Sequence, residues 1–82
     1  MDNQQITEDV KSLISQVATV SVTDIALTEN FEADLNIDGV EKAKILNTLA
    51  SKYETEFDEI DINKINTVKQ LIDIVADNLG II

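Results

Sequence analysis

Phe31-Glu32-Ala33-Asp34-Leu35-Asn36-Ile37-Asp38-Gly39-Val40-Glu41 is the stretch on which the reading of this chain turns. It opens as apolar residues spaced through polar ones and closes on a helix start. The Asp38 carboxylate can cap free backbone N–H groups, and Glu41 stands three residues on, a capping box with Asp in the place of Ser or Thr. A helix is therefore expected from Asp38 to about Glu54, with Val40, Ala43, Leu46, Leu49, Ala50 and Tyr53 as its apolar stripe. Glu41, Lys42 and Lys44 then project from its first two turns as surface residues. Gly39 falls in the first turn, where the positive end of the helix dipole favours a phosphate.

Before this stretch, Ile6, Val10, Leu13, Ile14 and Val17 recur at i, i+4, i+7, i+8 and i+11, which predicts a helix over about 3–18. Residues 20–37 have no clean period. They read as a long loop pinned to the bundle by Val22, Ile25, Leu27, Phe31 and Leu35. After the central helix, a short helix is expected over Asp58–Asn63, with Ile60 and Ile62 turned inward. Thr67-Val68-Lys69-Gln70 is a second capping box, ahead of Val68, Leu71, Ile72, Val75 and Leu79. Gly80 is placed to end that helix in a left-handed cap. Periodicity alone thus gives an all-α bundle with three main helices, one short helix and a long first connection. Repeats and linkers are missing from the sequence, and 82 residues suit one domain spanning 1–82.

The central stretch also resembles the attachment segment of the acyl carrier proteins. In that family a phenylalanine is followed, after two residues, by Asp-Leu and, after two more, by Asp-Ser-Leu. Here Phe31, Asp34-Leu35 and Asp38 keep the spacing, while Tyr53 and Ile65-Asn66-Thr67-Val68 match an aromatic near the end of helix II and the entry to the last helix. The resemblance covers nearly the whole chain and implies the acyl-carrier bundle fold. It also implies a serine bearing 4′-phosphopantetheine, and this chain has Gly39 at that position. A phosphodiester needs a hydroxyl, so no cofactor is expected on Gly39. Ser21, Thr23 and Thr28 lie in the loop, and Thr48 lies more than two turns down the helix. None has the Asp-Ser context that a transferase reads.

In the family, helix II is an acidic surface recognised by basic partner enzymes. Here Lys42, Lys44 and Lys52 interrupt it. These departures favour natural divergence over a single deliberate serine replacement. The resulting expectation is a small acidic protein that acts non-catalytically through protein contacts made by Asp38, Val40, Glu41, Lys42 and Lys44. One alternative is a genuine acyl or peptidyl carrier of fatty acid or polyketide type biosynthesis, seen as a Ser-to-Gly apo variant. Another is a weak divalent-cation module. Asp34-x-Asn36-x-Asp38-Gly39 matches the first half of a calcium loop, but Ile45 stands where its bidentate Glu belongs and Glu41 where an aliphatic residue belongs.

Composition excludes other classes. The chain has neither cysteine nor histidine, which removes disulfides, thiolate chemistry and the commonest general base. An enzyme is not expected. Residues 24–61 carry eleven acids against three lysines, a net of −8 out of −10 for the chain. Such a field repels nucleic acid and anionic lipid and attracts basic protein surfaces and cations. No apolar run is long enough to span a bilayer, and Met1-Asp2-Asn3-Gln4-Gln5 lacks the regions of a signal peptide. A cytoplasmic monomer is the expectation.

Overall fold

The computed structural model describes residues 3–57 and 64–80, which form three α-helices and one 3₁₀ turn, with no strand among them. Helix α1 spans Asn3–Ala18, α2 Gly39–Lys52 and α3 Val68–Asn78, with the 3₁₀ turn at Val22–Asp24. The all-helical architecture is the one expected. The short helix expected over Asp58–Asn63 lies outside the described residues.

Each helix is terminated by local chemistry. Asp38 caps α2: its Oδ1 accepts from Glu41 N at 2.9 Å, and its own N–H donates to Glu41 Oε1 at 3.4 Å. Thr67 and Gln70 form the corresponding box at α3, with Gln70 N donating to Thr67 Oγ1 at 3.2 Å and Thr67 N to Gln70 Oε1 at 3.0 Å. Gly80 follows α3 in the left-handed region at φ 74°. The other two helices leave through left-handed residues with side chains, Thr19 after α1 and Glu54 after α2. Glu54 allows Thr55 N to reach Ala50 O at 2.9 Å, which satisfies a terminal carbonyl.

The first connection is held by backbone as well as by apolar side chains. Phe31 N donates to Asn66 O at 2.9 Å, Val68 N to Glu29 O at 3.1 Å and Lys69 N to Leu27 O at 2.9 Å, so the loop is tied to the start of α3. Ile25, Phe31, Leu35 and Ile37 enter the core. Val22 and Leu27, expected as pins, stay on the surface.

The core joins Ile6, Val10 and Ile14 of α1 to Leu71, Ile72 and Val75 of α3 and Ile45, Leu46 and Leu49 of α2. On α2 the buried face departs from the expected stripe. Val40 is 67% exposed, whereas Lys42, Ile45, Leu46 and Leu49 are buried. These four fall at i, i+3, i+4 and i+7, one helical face headed by a lysine. An apolar pattern alone selects Val40 and Ala43 and passes over a charged residue such as Lys42. A lysine stem is itself apolar, and its head needs only one reachable acceptor.

Candidate functional site

The start of α2 brings the loop and the helix together. Gly39 is the first helical residue, behind the Asp38 cap. A Cβ built on it meets no heavy atom within 4 Å, and it is not among the positive-φ residues. Nothing in the backbone or the packing requires glycine there, and a serine side chain would point into open space. The position has free space around it but no side-chain oxygen on which a phosphodiester could form. Gly39 does not fit covalent attachment.

Three of the hydroxyls named above make hydrogen bonds of their own. Thr48 Oγ1 donates to Lys44 O at 2.8 Å, and Ser21 and Thr23 share a hydrogen bond of 3.0 Å in the 3₁₀ turn. Thr28 lies exposed in the turn that follows.

Beside Gly39, an open hollow of about 480 Å³ is lined by Glu32, Asn36, Ile37, Asp38 and Glu41. Three of its five residues are carboxylates, so the field there opposes the helix dipole and disfavours a free anion. Val40 and, further along α2, Lys44 are exposed. Of the residues expected to meet a partner, Asp38, Val40 and Lys44 are exposed and Glu41 is half-buried.

Lys42 is not on that surface. It is 3% exposed, and its Nζ donates to the Ile65 carbonyl oxygen at 3.0 Å. Glu32 Oε1 lies 3.7 Å from the same nitrogen, on a side chain that is itself 71% exposed. Reading Lys42 as a surface residue is corrected by this burial. Its acceptor lies 23 residues away in the chain, which local periodicity does not report.

The calcium-loop residues are also used locally. Asp34 Oδ2 accepts from Asn30 N at 2.8 Å, Asp38 caps α2, and Asn36 takes a left-handed turn at φ 56°. Among the described residues, no group of three or more acidic, histidine or cysteine side chains is placed to hold a metal ion.

A second polar cluster was invisible to sequence reasoning. Tyr53 Oη donates to Asp9 Oδ2 at 2.6 Å, and Lys52 Nζ lies 3.9 Å from Asp9 Oδ1. Burial, then the Asp9 hydrogen bond and charge, push the Tyr53 phenol well above its ordinary value. This cluster ties α1 to the end of α2. It borders an open groove of about 620 Å³ lined by Ser12, Leu13, Asn47, Thr48 and their neighbours. No helix of the described residues is long and apolar enough to cross a membrane.

Residues 8–81 match the family model described as "Phosphopantetheine attachment site". Curated relatives include the acyl carrier protein of Coprothermobacter proteolyticus, 25% identical over 79 residues, 96% of each chain. The acyl carrier protein of Chlamydia trachomatis serovar L2 is 30% identical over 71 residues, 87% of this chain and 92% of that one. The acyl carrier protein of Chlamydia caviae is 29% identical over 73 residues, 89% of this chain and 95% of that one.

Proposed function

The chain belongs to the phosphopantetheine attachment-site family, among the acyl carrier proteins, and from that membership we propose that it works without a covalent arm, non-catalytically, through contacts with protein partners. What supports this is Gly39: an open position without positive φ, which the resemblance sets at the family's point of attachment and which has no side chain to bear an arm. The partner surface is the start of α2 with the loop before it. Its exposed apolar residue is Val40, its acids are Asp38 and Glu41, and Lys44 adds one positive charge on α2. A partner suited to it presents an apolar pocket for Val40 with basic groups at the rim.

Incubation with coenzyme A and a phosphopantetheinyl transferase tests the loss of attachment. The mass of the chain should stay unchanged. A gain of one phosphopantetheine at any residue overturns the proposal. Gly39→Ser should regain the modification in part, because the space is free while Lys44 departs from the acidic pattern such enzymes meet in the family. The second reading, a working carrier whose serine has been exchanged, is favoured by that same free space. It predicts full modification of Gly39→Ser.

A further inference from the structure

Asp38–Gly39 is the one place in the sequence where an aspartate or asparagine precedes glycine, since the other glycine, Gly80, follows Leu79. That pair carries a chemistry of its own. The protonated carboxyl of an aspartate can be attacked at Cγ by the backbone nitrogen of the next residue. A new N–Cγ bond closes a five-membered succinimide, and the amide proton and the carboxyl hydroxyl leave as water. Water then reopens the ring. Addition at Cγ restores aspartate. Addition at the backbone carbonyl carbon breaks its bond to nitrogen and leaves isoaspartate, in which the main chain runs through the former side chain. The attacking nitrogen is shielded by the side chain of its own residue, and glycine has none.

The pair is accessible to this reaction. Asp38 is exposed, and a Cβ built on Gly39 meets no heavy atom within 4 Å. The start of α2 opposes ring closure. Closure eclipses Cβ with the next nitrogen about the Cα–C bond, which for a tetrahedral L residue means ψ of about −120°. Asp38 stands at ψ −178°, so its peptide plane must turn by about 60°. The turn swings Asp38 O out of the 2.9 Å bond that Lys42 N donates to it. The carboxyl must also leave Glu41 N, another bond of 2.9 Å, to present Cγ to the Gly39 nitrogen. Both bonds belong to the first turn of α2, so the pair reacts only when that turn opens.

We propose that Asp38–Gly39 is a site of spontaneous isoaspartate formation gated by the α2 cap, and that conversion removes the gate. In the product the capping carboxyl becomes main chain, the former main-chain carbonyl becomes a free carboxylate, and the amides of Glu41 and Lys42 lose both acceptors. The chemistry holds whatever the chain binds.

The full chain is incubated in mildly acidic buffer, folded and in guanidinium chloride. Isoaspartate is labelled with a protein isoaspartate methyltransferase and located by peptide mass spectrometry, where isoaspartate from asparagine carries a mass gain and isoaspartate from aspartate does not. In guanidinium the label should collect at Asp38 above every other position, and Gly39→Ala should lower it there at least about ten-fold. The folded chain should collect it at least about ten-fold more slowly than the chain in guanidinium. Label centred elsewhere, or an unchanged rate in Gly39→Ala, overturns the site, and equal rates folded and unfolded overturn the gate. Gly39→Ala is compared only in guanidinium, so its folding does not enter. Returned to native buffer, the converted chain should exchange the amide hydrogens of Glu41 and Lys42 at least about ten-fold faster than the unconverted chain. Exchange as slow as before conversion overturns the uncapping.

Discussion

Reversing the charge at Lys42 should be among the most damaging single changes to this protein, although lysine-to-glutamate changes on helices are ordinarily mild. The ammonium is 3% exposed, bonded to Ile65 O at 3.0 Å and 3.7 Å from Glu32 Oε1. Losing a hydrogen bond from a charged donor costs about 1.5–3 kcal/mol. Glutamate then places a carboxylate against a carbonyl oxygen and a second carboxylate, with no positive partner. Breaking a buried ionic arrangement in this way costs roughly 3–5 kcal/mol. For a domain of this size, whose whole stability is on the order of 5–10 kcal/mol, Lys42→Glu should remove about half or more. Lys42→Met keeps the stem, removes the buried charge and leaves one carbonyl unpaired, so it should stay within about 2 kcal/mol of the unsubstituted chain. Lys44→Glu, at an exposed position, should change stability by no more than about 0.5 kcal/mol. Urea unfolding followed by circular dichroism ranks the three. A Lys42→Glu chain within about 1 kcal/mol of the unsubstituted one would falsify the burial argument. The ranking also decides which lysine can probe a partner interface, since only Lys44 can be reversed without disturbing the core.

Thr19 is a β-branched residue at φ 59°, so Thr19→Gly should raise stability by about 0.5–1 kcal/mol after allowing for the greater unfolded freedom of glycine; a loss in chemical denaturation would contradict this. The Tyr53 phenol, raised by burial and by Asp9, should show no phenolate absorbance at pH values near its ordinary value of about 10. Its contribution to stability is whole below the unfolded phenol's value and is lost as pH climbs through the higher folded one, so an ordinary titration midpoint in the folded protein would refute the Asp9 contact. Eleven acids against three lysines over residues 24–61 should make the melting temperature rise with added salt or millimolar divalent cation, and a melting temperature independent of both would contradict self-repulsion.

What was legible in the sequence is what depends on neighbours within about one helical turn. The boxes at Asp38–Glu41 and Thr67–Gln70, the stripe of α1 and the left-handed Gly80 all use partners a few residues away. That residue 39 is a glycine, with no side-chain oxygen, is likewise legible from sequence alone. The tertiary structure decided which face of α2 goes inward. Lys42 is buried because a carbonyl 23 residues on lies within reach of its head, and Val40 is exposed because that rotation turns it outward. Tyr53 and Asp9, 44 residues apart, meet only once α1 and α2 pack. A side chain that is apolar along its stem and charged at its tip suits either environment, and only the position of its acceptor in the folded chain determines which one it takes.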